Sequence, residues 1–419
     1  MSKTPKLAND CFALPAGTNW TPVDEALENL RASVVEVADT ETIDLLSAGG
    51  RILAADVVAK RSNPPYRNSA MDGYGFAAAS LGEGAQELPL LDARSAAGEP
   101  YLQAVPIGHA IRVLTGAKIP EGVDTVIMQE DVAVDGDKIR FEAGLKSGSN
   151  IRPVGEDVQA GQTVLPRGRV LQPQDIGLLA TVGVDRVPVR MRLKVGVLST
   201  GEELRQAGED IAPHQIFDAN RPMLLDLVRR WGMEPVDLGH VRDDAAKVNA
   251  ALDSGAVAAD VILTTGGASA GDEDHISAAL RKAGALNLWR IAIKPGRPLA
   301  LGMWGGVPVF GLPGNPVAAL VTALIFARPA LSTLAGAGWR EPTRLSLPAA
   351  FEKTKKAGRR EYLRGRLTPE GQVAAFHSEG SGIISGLSWA NGLIELEDEA
   401  RKITPGDPVR FYPYAAFGL

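Results

Sequence analysis

The chain has 419 residues, 45% hydrophobic and 22% charged, an ordinary globular composition with room for roughly two to four domains. A net charge of -6 argues against a nucleic-acid partner, which needs a basic face. One cysteine, Cys11, and five histidines without zinc-ligand spacing exclude a disulfide framework and a thiolate metal site. Any metal that the protein holds should therefore be hard and oxygen-liganded.

Residues 1–19 read as a loose leader with no apolar stretch of signal-peptide length. Thr21-Pro22 predicts a helix start, with Thr21 as N-cap and Val23, Ala26, Leu27 and Leu30 as its apolar stripe. A helix-like pattern returns from Leu45 to Ala54. From 51 to 149, short pieces such as AIRVLTG, DTVIMQED and KIRFEAG alternate with Gly and Pro turns. They predict a β-rich module inserted into an elongated domain of 20–50 and 150–183. From 184 to 337 strands (LKVGVLST, EPVDLGH, DVILTTGG, LWRIAI, PLALGM, VPVFGLPG) alternate with helices, which predicts a mostly parallel sheet with right-handed crossovers. The most apolar helix, 317–326, is expected to stop at Arg328-Pro329, too short to cross a bilayer. No membrane partner and a cytoplasmic location are expected. Residues 338–419 return to β texture.

Ligands of a parallel sheet bind beyond the carboxyl ends of its strands. Five polar turns follow strands here: STGEEL (199–204), RDD (242–244), TTGGASAGDED (264–274), KPGRP (294–298) and LPGNP (312–316). Taken singly, Glu202 and Glu203 read as well as helix-start acids, and Asp243 or Asp244 and Asp272 or Asp274 as N-caps. Three acidic turns on one rim, however, repel one another unless a cation sits among them. Mg2+ fits, because it pairs carboxylates with substrate phosphates. Glu273 is expected to face solvent. Gly266 and Gly267 let a bulky ligand lie against bare backbone. Lys294 and Arg297 read either as a solvated basic turn or as holders of an anion. Asn315 as N-cap and Pro316 at the first helical position would point a helix N-terminus at the same rim. No G-x-x-x-x-G-K-[ST] loop is present, which argues against a P-loop kinase. In the β-module, NPPYRNSAMDGYGF (63–76) surrounds Asp72 with Tyr66, Met71, Tyr74 and Phe76, a pocket-like wall unless Asp72-Gly73 is only a turn. LTGAKIPEG and VIMQED add Thr115, Glu130 and Asp131.

The ordered motifs NPPYRNSAMDGYGF, RVLTGAKIPEGVDTVIMQED, NIRPVGEDVQAG, VGVLSTGEEL, DANRPML, LTTGGASAGDED, IAIKPGRPLALG and VFGLPGNPVAAL together resemble the molybdopterin molybdenumtransferases. This is the MoeA family, which includes the E domain of gephyrin. The resemblance covers residues 20–415 or so. Gly75 stands where Ala is usual, Arg297 where Lys is common, and His275 where other residues often sit.

The resemblance implies a multidomain α/β plus β homodimer. Its parts are an elongated α+β linker and dimerisation domain (20–50 and 150–183), an inserted β-rich domain (51–149), a three-layer α/β molybdopterin-binding domain (184–337) and a C-terminal β-barrel-like domain (338–419). The implied reaction is Mg2+-dependent insertion of molybdate into adenylylated molybdopterin with release of AMP, the last step of molybdenum cofactor synthesis. The pterin would supply the sulfurs that the chain lacks. A molybdopterin adenylyltransferase and recipient molybdoenzymes are the implied partners. Carried over by motif, the catalytic set is Asp72, Thr115, Glu203, Asp243, Asp274 and Lys294, with Glu203, Asp243 and Asp274 as the expected Mg2+ ligands. The substrate-binding set is Asp157, Gly266, Gly267, Ser269, Arg297, Pro313, Asn315, Arg359 of AGRREYLRG and Ser385 of GIISGLS. In the implied dimer the β-module of one subunit faces the rim of the other. A non-catalytic molybdopterin-binding or scaffold protein of the gephyrin E-domain type is the alternative, and it predicts loss of the rim acids, which this chain keeps.

Overall fold

The structure, a computed structural model, describes residues 20–266, 275–283, 286–296 and 298–419. Gly267, Ser269, Asp272, Glu273, Asp274 and Arg297 lie outside the described residues. The chain forms two compact units. One is Glu41–Val189, and the other comprises the described residues of Met1–Thr40 with Arg190–Leu419.

The Glu41–Val189 unit carries a six-stranded sheet in the order Thr125–Met128, Gly73–Phe76, Ala110–Val113, Ala85–Ser95, Lys138–Glu142, Ala133–Asp135. Only the Ala110–Val113 and Ala85–Ser95 pair is parallel. Successive side chains of a strand point to opposite faces. Ala110 and Ile127 accordingly join one core with Phe76 and Phe141, while Ile111 and Val126 join another with Val113 and Ile119. Tyr74 and Phe76 are buried in this packing, with Phe76 stacked on Phe141 at 5.1 Å, so they form core rather than a pocket wall around Asp72. Gly73 opens a strand and is not a turn. A Cβ there would stand 1.9 Å from the Ile127 carbonyl oxygen.

Elsewhere in this unit, helix Pro173–Thr181 starts with a capping box between Gln172 and Asp175, and Arg169 grips the Asp175 carboxylate at 2.9 and 3.0 Å. The expected helix from Leu45 to Ala54 is cut to the short turn Leu45–Ser47. Gly49 and Gly50, the latter at φ 74°, end it, and the β-branched run behind them becomes strand Val57–Val58.

In the other unit, helix Val23–Ser33 buries Val23, Ala26 and Leu30 as its stripe demands. Its N-cap is Pro22, because Thr21 is drawn into a bridge with Ile291. A six-stranded sheet runs in the order Glu234–Val241, Lys194–Thr200, Val261–Thr265, Val307–Leu312, Pro298–Trp304, Leu286–Arg290. The first four strands are parallel, and Pro298–Trp304 alone is reversed, antiparallel to both of its neighbours. Gly305 and Gly306, both at positive φ, turn Pro298–Trp304 tightly into Val307–Leu312. Helices Asn220–Arg230, Ala245–Ala258, His275–Lys282 and Pro316–Thr322 link or flank these strands.

The last of these helices does not stop at Arg328-Pro329. A π turn, Ala323–Ala327, absorbs the missing Pro329 N–H, and the chain stays helical through Arg328–Leu334. By length and composition Pro316–Leu334 could cross a membrane, yet 89% of its apolar window is buried inside the protein, as for a core helix.

The C-terminal part forms a second six-stranded sheet. Ile293–Lys294, Arg360–Leu367, Gly392–Leu396, Pro408–Pro413 and Leu345–Pro348 lie in that order, and Val373–Ala375 pairs with Arg360–Leu367. Its core includes Leu363, Ile394, Val409 and Phe411. The run LWRIAI is thus two strands. Leu286–Arg290 edges the α/β sheet, and Ile293–Lys294 crosses into the C-terminal sheet, parallel to Arg360–Leu367.

Candidate active site

The chain leaves strand Lys194–Thr200, adds Glu234–Val241 on one side and then Val261–Thr265 on the other. The crevice at the carboxyl ends of the two strands Lys194–Thr200 and Val261–Thr265 is therefore the topological switch point, where open α/β sheets bind ligands. Three turns close on it. Gly266, at φ 84°, presses on the first turn: a Cβ there would lie 2.4 Å from the Thr200 carbonyl oxygen. On the other side Gly314 approaches Gly266, its ideal Cβ position 3.7 Å from the Gly266 Cα. Asn220 pins two of the turns, donating from Nδ2 to Thr265 Oγ1 at 2.7 Å and to the Gly314 carbonyl at 2.6 Å. Asp218 holds Asn220 in turn by accepting its backbone N–H at 3.1 Å. Near the strand ends, the buried hydroxyls of Ser199, Thr200 and Thr264 have no hydrogen-bond partner among the described residues.

The acids divide by role. Asp244 is the N-cap of Ala245–Ala258 and accepts the Lys247 backbone N–H at 2.9 Å, which holds its carboxyl below the ordinary value. Asp243 is left for the rim, where its Oδ2 accepts the Glu202 N–H at 3.1 Å and so joins two of the acidic turns. The Glu203 carboxylate folds over bare Gly201 backbone; a Cβ on Gly201 would meet Glu203 Oε2 at 2.6 Å. Among the described residues no group of three metal-ligating side chains occurs.

Lys294 lies in the strand that crosses into the C-terminal sheet, in register with Glu361. Its Nζ bonds Glu361 Oε1 at 3.4 Å and also Glu379. Lys353 forms ion pairs with Glu361 Oε2 at 3.1 Å and with Glu379. Burial opposes charge on both Lys353 and Glu379. Their partners outweigh it, raising the Lys353 pKa and lowering that of Glu379. Two cavities, of about 260 and 410 Å3, meet this cluster, and Arg359 lines the larger with its guanidinium over the Trp20 ring. Gly296 brings the basic loop against the helix after LPGNP: its ideal Cβ position is 3.6 Å from Pro313 Cγ and from Ala318 Cβ. The N-terminus of that helix is partly spoken for. Pro316 has no N–H, Val317 donates to the Ser381 carbonyl at 3.1 Å, and Asn315 makes no side-chain cap bond. Ser385 is exposed at the start of the short helix Ser385–Trp389.

In the other unit, Asp72 Oδ1 accepts both the Thr115 N–H and the Thr115 hydroxyl at 2.6 Å. These bonds, with the charge of Arg112 behind them, hold the Asp72 carboxyl below its ordinary value. Arg112 itself is anchored on Tyr74 Oη at 2.8 Å. Asp157 accepts from Asn63 Nδ2 at 2.9 Å. Glu130 and Asp131 are exposed in the turn Gln129–Asp131.

Comparison with known proteins covers nearly the whole chain. The MoeA N-terminal region (domain I and II) family matches residues 21–183, the probable molybdopterin binding domain family residues 196–333, and the MoeA C-terminal region (domain IV) family residues 346–414. A Haemophilus influenzae protein named molybdopterin molybdenumtransferase is 38% identical over 399 residues, which cover 94% of this chain and 98% of that protein. The molybdopterin molybdenumtransferase 2 of Mycobacterium tuberculosis is 34% identical over 88% of this chain and 94% of its own. The chain belongs to the molybdopterin molybdenumtransferase family. The crystal structure of a Pyrococcus horikoshii OT3 molybdopterin biosynthesis moeA protein agrees, with a TM-score of 0.82 and 31% identity over 94% of this chain and all of that one.

For a molybdopterin molybdenumtransferase family member, the expected residues fall into three groups. Glu203, Asp243, Gly266, Pro313 and Asn315 belong to the switch-point turns. Lys294 and Arg359 belong to the cavities, and Asp72, Thr115 and Asp157 to the Glu41–Val189 unit. The sequence reading did not single out Asn220 and Asp218, although both stand in the quoted DANRPML motif, nor Lys353, Glu361 and Glu379. Those last three are scattered along the chain, and no spacing rule could have grouped them.

Proposed function

We propose that this chain is a Mg2+-dependent molybdopterin molybdenumtransferase that inserts molybdate into adenylylated molybdopterin and releases AMP. One observation carries the reading: a switch-point crevice whose turns close tightly at Gly266 and Gly314 has acids on its rim, and the loop that follows Lys294 packs through Gly296 against the neighbouring LPGNP turn. A phosphoanhydride-bearing pterin needs close backbone approach, and an oxyanion needs fixed cations.

Mg2+ is compatible with the donors present. Glu203 and Asp243 supply hard oxygen from adjacent turns, and the unpartnered hydroxyls of Thr200 and Thr264 lie at the ends of the flanking strands. Glu203, Asp243 and Asp274 would hold it, and when bound it would neutralise charge on the substrate's phosphates. The chain's own residues do the rest. Gly266 lets the substrate lie on bare backbone, Asn220 keeps the two turns together, and Lys294, Arg297 and Arg359 orient the oxyanion. Asp72, with Thr115 fixing one oxygen, offers the other as a proton acceptor. A homodimer and a cytoplasmic location go with this reading. Mixing Asp72→Ala with Glu203→Gln subunits would test the dimer: recovery of up to about half the sites in verified heterodimers is expected if the two residues act across subunits.

The decisive assay follows AMP. Purified protein should release AMP from adenylylated molybdopterin when molybdate and Mg2+ are both supplied, and yield the molybdenum-loaded pterin. Release at the same rate without molybdate, or no turnover at all, would overturn the reading.

A further inference from the structure

Lys294, Glu361, Lys353 and Glu379 form a ring of ion pairs in which each lysine meets both carboxylates. The ring is neutral as it stands. Its two carboxylates are not equivalent. Glu361 sits in strand Arg360–Leu367, hydrogen-bonded on both sides, with only 11% of its side chain exposed. Glu379 comes from a loop and keeps 43% of its side chain exposed. The loop itself is tied down: Arg364 donates to the carbonyls of Ser378, Gly380 at 3.2 Å and Ile383 at 2.8 Å. The Glu379 side chain can therefore move while its backbone stays. Lys294, Lys353 and Glu379 line both the 260 Å3 and the 410 Å3 cavity, so the group that can move also stands where the two meet.

We propose that Glu379 is a built-in anion that occupies the Lys294–Lys353 pair in the resting chain and is exchanged for a tetrahedral dianion when one binds. The inference rests on the reading of Lys294 as an oxyanion holder and adds a competitor to it. A dianion reaching the lysines meets like charge from Glu379, and two like charges cannot share a site without cost. Glu361 stays and fixes the lysines. Glu379 thereby sets the threshold: weak anions fail to displace it, and a dianion that can use both lysines succeeds. The exchange also keeps the lysines paired when no ligand is present, which a half-buried cation pair requires.

Calorimetric titration of the full-length chain with sodium molybdate at fixed ionic strength tests this. Glu379→Gln keeps the shape and removes the charge, and should bind molybdate roughly ten-fold tighter than the unaltered chain. Glu379→Asp keeps the charge and should stay near the original affinity. Lys294→Ala should bind roughly ten-fold more weakly. A purely structural Glu379 would make Glu379→Gln bind equally or less tightly while Lys294→Ala still weakens; that outcome overturns the exchange and leaves the oxyanion site standing. Unchanged binding in Lys294→Ala overturns the site, and the exchange with it. Should Glu379→Gln fail to fold, Glu379→Ser is read by the same criteria.

Discussion

Asn220 and Thr265 are joined by a 2.7 Å hydrogen bond at the head of the switch-point crevice, and the second Asn220 amide hydrogen reaches Gly314. One buried side chain thus sets the spacing between two turns of the crevice. Asn220→Ala leaves the Thr265 hydroxyl and the Gly314 carbonyl without this donor. A loss of roughly 1–3 kcal/mol is expected, read by urea unfolding, together with weaker binding of molybdopterin. Full stability and full binding in the variant would exclude the role.

Gly266→Ala tests the close approach of the first two turns directly. The new Cβ would press on the Thr200 carbonyl from a residue already at positive φ, which disfavours any L side chain. The expected cost is roughly 1–3 kcal/mol, with pterin binding weakened by far more than stability alone explains. Calorimetry beside thermal unfolding separates the two effects.

The adjacent acids Asp243 and Asp244 should part company. Asp244→Ala removes a helix cap and should lower the melting temperature while AMP release per folded molecule is kept. Asp243→Asn and Glu203→Gln should bind the adenylate and cleave it at least roughly ten-fold more slowly across a Mg2+ titration. AMP release by chromatography, normalised to folded protein, reads all three.

Acid sensitivity is expected at Asp175. Burial alone would raise its pKa, but Arg169 and the Gln172 N–H outweigh it and hold the carboxyl below its ordinary value of 3.8. A depressed carboxylate contributes stability that is fully present above the unfolded value and is lost as pH falls through the lower folded one. The Glu41–Val189 unit should therefore weaken below about pH 4. Asp175→Asn should be less stable at pH 7, by about 1 kcal/mol, and should lose that share of the acid dependence. Circular dichroism melts at pH 7 and pH 3 compare the two chains.

Local rules carried much of the fold. The stripe Val23, Ala26, Leu30 marked a helix, Pro316 marked a start, and the carboxyl-end turns marked the crevice, because each depends on neighbours a few residues away. The split of LWRIAI did not show, since strands of two sheets look alike in apolarity and only tertiary packing assigns them. Tyr74 and Phe76 were misread for a related reason: an aromatic beside an acid suits a pocket and a core equally. The Lys294 partners were invisible because Glu361 and Glu379 lie 67 and 85 residues away. The continuation of the helix past Pro329 turned on a π turn, which no periodicity announces.

The crossing of residues 290–293 from one sheet to the other has a practical consequence for dissecting the molecule. Cutting the chain between the α/β region and the C-terminal region at 338 would leave Ile293–Lys294 on the α/β fragment without the strand Arg360–Leu367 that it pairs with. Cutting before 293 would instead separate the α/β sheet from its own strands Pro298–Trp304 and Val307–Leu312. The first cut strips the C-terminal sheet of its first strand and the second strips the α/β sheet of two strands, so the two regions should be more stable in one piece than either fragment alone. Grafting either onto a relative would require carrying both together.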